Sequence, residues 1–263
     1  MAREQRLVFG EDPELYDKAR AGYSEELVDA VVQFARIHAG SRSLEVGAGT
    51  GKATVAFART GLDITALEPS REMAALAMRN CTNFENVSVV VTPFEEWDGA
   101  PGSCELVFAA QSWHWIDPGV RYRKAANVLR EGGTLALMWH RTNWSGEALR
   151  GELDELYRRV DPELRARNPG FPGLVRPEDD GELIDEITAT GLFADVTELT
   201  FPRVDSFGGD EFVDLLATQS DHRLLAPARR QVLFDEVRRL IQRRGGRVEV
   251  PHATWLVLAR RRS

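Results

Sequence analysis

Three glycines at alternate positions, Gly47, Gly49 and Gly51, follow a short apolar run, Leu44-Glu45-Val46, whose one polar member is a glutamate. Glycine at such places lets a ligand approach the backbone, and the loop joins what reads as a buried strand to a helix. Two features narrow the ligand. The third glycine comes two residues after the second, whereas loops that seat a pyrophosphate on a helix N-terminus place it three after. Glu45 lies within the strand itself, where a carboxylate must be paired or hydrogen-bonded. It would repel a diphosphate and attract an ammonium or a sulfonium. Recognition of a cationic amino-acid nucleoside fits this chemistry better than recognition of a dinucleotide.

Further candidates lie downstream. Glu68 ends the second apolar run, seventeen residues past Gly51, where an acid can accept both hydroxyls of a ribose; the rival account is a surface acid before a helix. Pro69 and Ser70 then turn the chain, with Ser70 as an N-cap. Thr92-Pro93-Phe94-Glu95, after the third strand, borders an adenine through its backbone and the Phe94 ring, or else Phe94 packs in the core. Gln111, after the fourth strand, meets the ligand. His114 follows it as the leading candidate for a general base, with an ordinary pKa of about 6.5. Its neighbours Trp113 and Trp115 either favour a cation through their ring quadrupoles or pack in the core. His140 and His222 are reserve bases. Tyr16 and Arg20 precede the first long helix, and Arg20 either meets a ligand carboxylate or pairs with Glu14 or Asp17.

The elements that must position these residues alternate. A helix over 24–39, capped by Ser24 and stopped at Gly40, leads into strand 43–46, helix 51–60, strand 62–67, helix 70–80, strands 87–91 and 105–110, helix 118–130 and strand 134–139. Alternation of this kind predicts a parallel sheet with right-handed crossovers and a central first strand, at whose C-terminal end ligands bind. After Trp139 a polar helix near 147–160 and the Pro/Gly-rich stretch Asn168–Gly173 read as a cap. Helix 178–190, a strand around 195–202 and helices 209–219 and 227–244 follow. A final strand over 247–250 and 254–259 is expected to pair antiparallel at the sheet edge.

Composition bounds the partners. The 263 residues carry 33 Lys+Arg against 41 Asp+Glu, a formal charge of −8, which disfavours a nucleic-acid backbone as partner. No apolar run is long enough to cross a membrane. Cys81 and Cys104 form no metal-spaced cluster, and a reducing, cytoplasmic setting fits them. No metal site is expected. Oligomeric state is not legible.

Leu44–Gly51, Glu68 and Leu129-Arg130-Glu131-Gly132-Gly133-Thr134-Leu135 together resemble the class I S-adenosylmethionine-dependent methyltransferases. Tyr16-Asp17-Lys18-Ala19-Arg20 and Gln111-Ser112-Trp113-His114-Trp115-Ile116-Asp117 resemble a branch acting mostly on small molecules. The resemblance covers roughly residues 12–140. It implies a Rossmann-like α/β sheet, mostly parallel with an antiparallel last strand, carrying helical cap insertions. It implies cofactor contacts from Glu45, Gly47, Ala48, Gly49, Gly51 and Glu68, joined by Tyr16, Arg20, Pro69, Pro93, Phe94 and Gln111. The expected layout is one domain: 1–40 covering the cofactor site, 41–140 as core, and 141–263 as remaining strands with cap insertions. The sulfonium is already an excellent leaving group, so alignment and exclusion of water do most of the catalytic work. An NAD(P)- or flavin-dependent oxidoreductase and a non-catalytic nucleoside-binding module are the alternatives. The Asn/Asp-Pro-Pro-aromatic loop that marks base-modifying relatives is replaced here by Ala110-Gln111-Ser112-Trp113.

Overall fold

The computed structural model describes residues 11–142, 148–167 and 179–263; the Pro/Gly-rich stretch at 168–173 lies outside the described residues. Seven strands, β1 (Arg42–Val46), β2 (Asp63–Leu67), β3 (Val87–Val90), β4 (Cys104–Ala110), β5 (Leu129–Thr142), β6 (Phe193–Gly208) and β7 (Arg247–Arg261), form one sheet in the order β3-β2-β1-β4-β5-β7-β6. It is mostly parallel, with one antiparallel strand. β1 pairs in parallel with both β2 and β4, so the strand order reverses there. That reversal opens a crevice at the C-terminal ends of β1 and β4.

The last strand does not lie at the edge. β7 is enclosed between β5 and β6, and β6 takes the edge position. The reason is visible in its composition: Trp255, Leu256, Val257, Leu258 and Ala259 are all buried. An unbroken apolar run needs cover on both faces, which an internal strand receives. A second correction concerns β5, which starts at Leu129 where a helix was expected to continue. Cys104 pairs with Leu129 and Leu106 with Thr134, so residues 130–133 bulge out, helped by Gly132 at φ 68°.

Eleven helices accompany the sheet among the described residues: α1 (Pro13–Ala19), α2 (Glu25–Ala35), α3 (Lys52–Ala58), α4 (Arg71–Asn80), α5 (Arg121–Val128), α6 (Ala148–Val160), α7 (Pro162–Arg167), α8 (Asp179–Ala189), α9 (Gly209–Ala217), α10 (Ser220–Arg223) and α11 (Pro227–Arg243). Ser24 caps α2 by accepting from the Leu27 amide. The helix ends at Ala35, short of Gly40, because Arg36 turns left-handed at φ 54° and folds Ile37 back into the core.

The chain divides into two compact units. The first comprises Ala21–Trp139, Glu178–Phe201 and Thr254–Ser263 and holds the sheet core. One apolar cluster joins Leu44, Val46, Leu67, Val107, Leu135 and Val257; another joins Ile64, Ala66, Leu106 and Phe108 to Leu27, Val31 and Phe57. Helix α2 is thus a layer of the sheet unit.

The second unit comprises Met1–Arg20, His140–Pro177 and Pro202–Ala253, and its core gathers Leu153, Leu156, Tyr157, Phe212, Leu216, Leu233, Val237 and Leu240. His222 is fully buried there, with Nε2 at 2.8 Å from the Tyr157 hydroxyl. Burial holds it down at about 4, against the pull of the Asp221 charge. The unfolded chain therefore takes up a proton at a higher pH than the folded one. Stability is full above pH 6.5 and falls as the pH drops to about 4, by about 3 kcal/mol over that window. Urea unfolding of wild type and His222→Phe across this range checks the sign: the variant should lose most of the slope, and equal slopes refute it.

Candidate cofactor site

β1 delivers Val46 to the crevice, and the chain then runs through Gly47, Ala48, Gly49, Thr50 and Gly51 into α3. The Gly47 and Ala48 amides both donate to the Leu67 carbonyl at 2.9 Å, which staples the loop to the end of β2. All three glycines have positive φ, at 73°, 59° and 85°. Their surroundings differ. A Cβ on Gly47 would lie 2.5 Å from the Ser112 Cβ, and one on Gly51 would lie 3.3 Å from Ala77 of α4. A Cβ on Gly49 would meet only the Met73 methyl at 3.7 Å. Gly47 and Gly51 serve close packing, whereas Gly49 faces a hollow that a side chain would fill.

Glu45 is 1% exposed. The Thr54 hydroxyl donates to its Oε2 at 2.5 Å, while Oε1 has no hydrogen-bond partner among the described residues. Burial pushes the carboxyl up to about 8; Thr54 opposes this and the neighbouring Glu68 adds to it. Desolvation of this kind favours the neutral form of a carboxyl unless a cation joins it.

Glu68 is buried and splits its carboxylate between two amides. Oε2 accepts from Gly49 at 2.8 Å and Oε1 from Ser70 at 2.9 Å. Glu45, the glycine loop and Glu68 are therefore one assembly. A carboxylate oxygen accepts more than one hydrogen bond, so ribose hydroxyls are compatible with both contacts. Pro69 links Glu68 to the Ser70 cap of α4, where the Ser70 hydroxyl accepts from the Met73 amide.

On the other side of the switch point, Gln111 follows β4 in the left-handed region at φ 63°, its amide donating to the Met138 carbonyl at 2.9 Å. A non-glycine residue there costs about 1–2 kcal/mol, and such outliers gather at binding sites. Next to it, Ser112 donates a short hydrogen bond to the Val46 carbonyl and fills the space beneath Gly47. Sequence reading missed Ser112 and Thr54 as site residues; each acts through a partner many positions away, so no local pattern marks them.

The Trp113–Trp115 segment forms a single 3₁₀ turn. Trp113 is fully buried against Tyr122 at 5.4 Å and Phe94 at 6.3 Å between ring centroids. Phe94, expected beside an adenine, is 1% exposed and belongs to this core, while Pro93 before it is partly exposed. His114 is exposed, 4.7 Å from the Trp115 ring. The Trp139 indole donates to its Nδ1 at 3.3 Å. An indole nitrogen only donates, so Nδ1 is the unprotonated nitrogen and the neutral ring carries its proton on Nε2.

Tyr16 and Arg20 belong to the second unit. There Arg20 Nε donates to the Thr218 hydroxyl at 2.8 Å and Nη2 to the Thr218 carbonyl at 3.2 Å, with the Tyr16 ring 5.3 Å away. Of the reserve bases, His140 is partly buried at the end of β5 and His222 is sealed in the core already described.

A glycine loop at the switch point, a buried acid before it and a second acid at the end of β2 thus lie where open α/β sheets bind their ligands. Residues 44–137 match the methyltransferase domain family. An uncharacterized methyltransferase of Mycobacterium tuberculosis is 30% identical over 240 residues, 91% of this chain and 87% of its own length. A demethylmenaquinone methyltransferase of Tropheryma whipplei is 33% identical over 105 residues, 38% of this chain and 42% of its own. Among solved structures, the YcgJ protein of Bacillus subtilis superposes with a TM-score of 0.58 at 17% identity, covering 91% of this chain and 100% of the other. The chain belongs to the class I S-adenosylmethionine-dependent methyltransferases.

Proposed function

We propose that the protein transfers a methyl group to a small-molecule acceptor, and that Glu45, Gly47, Ala48, Gly49, Gly51, Glu68, Pro69 and Gln111 hold the cofactor. The observation that carries this is the buried Glu45 carboxyl, one oxygen without a hydrogen-bond partner among the described residues, beside the glycine loop, which is open at Gly49 and closely packed at Gly47 and Gly51. Pro93 and the Phe94 backbone complete the adenine side in this reading. The donor supplies an electrophilic methyl on a sulfonium. The chain's part is to align it and keep water out, which suits a buried loop stapled to β2. Tyr16 and Arg20 are not needed for this reading, since Thr218 of their own unit already engages the Arg20 guanidinium.

His114 stands after β4, where the transferred methyl is expected. Its Nδ1 is engaged by Trp139, so we assign it to donating from Nε2 to an oxygen of the acceptor ahead of removing a proton. The acidic balance of the chain and the named substrate of the Tropheryma relative favour a small organic acceptor over nucleic acid. Two buried free thiols, Cys81 and Cys104, favour a cytoplasmic setting.

Calorimetric titration with S-adenosylhomocysteine tests the cofactor assignment, with a panel of labelled transfer assays, run with and without a chelator, to follow. Micromolar binding and chelator-resistant transfer are expected. Absence of binding below millimolar, or preferential binding of NAD, refutes the assignment.

A further inference from the structure

The surroundings of Glu45 reach beyond simple recognition. Its Oε2 rests on Thr54 of α3, and its other oxygen has no described partner. Among the described residues, the charged or titratable groups that face it are Glu68 at the end of β2 and the Cys81 thiol at the end of α4. Its strand neighbours in register, Ala66 on β2 and Phe108 on β4, are apolar. None of these groups is a cation. Two carboxyl groups at one loop, one of them 1% exposed, cannot both hold a charge cheaply. Glu68 has two amide donors to support its charge, whereas Glu45 has one hydroxyl.

We propose that Glu45 is protonated in the free protein and releases that proton to solvent when the cationic nucleoside binds, so that cofactor capture is coupled to deprotonation. The O–H bond of the carboxyl breaks heterolytically, the proton passes to buffer, and the carboxylate left behind pairs with the ligand's positive charge. This rests on the cofactor assignment made above and adds a measurable linkage to it. Burial, which pushes the group up to about 8, places the linkage near neutrality. Affinity then climbs about tenfold per pH unit on the acid side of that value and levels off on the alkaline side.

Calorimetry of S-adenosylmethionine binding at pH 7, in buffers of different ionisation enthalpy, counts the protons. Wild type should release close to one more than Glu45→Gln, the subtraction removing titration of the ligand's own amine. Should the variant not fold or not bind, the infrared difference spectrum of wild type decides: a protonated-carboxyl band should vanish on binding. Tight binding with no released proton, or with no loss of that band, overturns the proposal and leaves the cofactor assignment standing. No binding at any pH overturns the assignment beneath it.

Discussion

Gly49→Val should abolish S-adenosylhomocysteine binding, by at least ~100-fold or about 2.7 kcal/mol, in a protein that remains folded. The three loop glycines are not equivalent in what a side chain would strike. At Gly47 it would strike Ser112, whose Cβ lies 2.5 Å from the added atom, and the switch point itself would have to open. At Gly51 it would press on the backbone of α4 at 3.3 Å. Only at Gly49 does the added Cβ find room within the protein, 3.7 Å from the flexible end of Met73. A valine there projects into the hollow that a nucleoside needs and holds φ 59° at a cost of about 1–2 kcal/mol. A melting point lowered by several degrees, with no detectable binding, is the expected pair of results. Unchanged affinity would mean that the nucleoside lies elsewhere, and a collapsed melting transition would mean that Gly49 serves packing after all.

Trp113→Ala should cost about 3–5 kcal/mol of stability, the largest loss expected from any residue of the site. Its ring is fully buried, edge-on to Tyr122 at 5.4 Å and near Phe94 at 6.3 Å, and the cavity left behind has rigid walls of strand and helix. Trp115 is partly exposed, so Trp115→Ala should cost much less. Urea unfolding of the two variants provides the comparison, with the midpoint moving strongly for Trp113 and weakly for Trp115. Similar midpoints would refute the division between a core tryptophan and a site tryptophan. Trp113 thus anchors in the core the turn on which His114 stands.

The loop and the positions of its two acids were legible because their signals are local. Gly47, Gly49 and Gly51 form the strand-to-helix loop expected of them, and Glu45 falls within β1 and Glu68 just after β2, as their apolar neighbours predicted. The C-terminal strand was placed at the wrong position because pairing order is not local: the apolar run at 255–259 states that both faces are covered but not by which strands. Phe94 shows the same boundary. Its sequence setting allowed either an adenine wall or a core residue, and packing against Trp113 put it in the core.

By itself the sequence determined the alternation of strands and helices, the central place of the first strand, the loop and its two acids, because periodicity, glycine and capping act within a few residues. The tertiary structure decided what those groups are chemically. Among the described residues it gave Glu45 one hydroxyl, gave Glu68 two amides, gave His114 an indole donor at Nδ1, and buried His222 against Tyr157. The physical reason is that a side chain's charge and donor sense depend on desolvation and on partners brought in from distant strands, which no local spacing encodes.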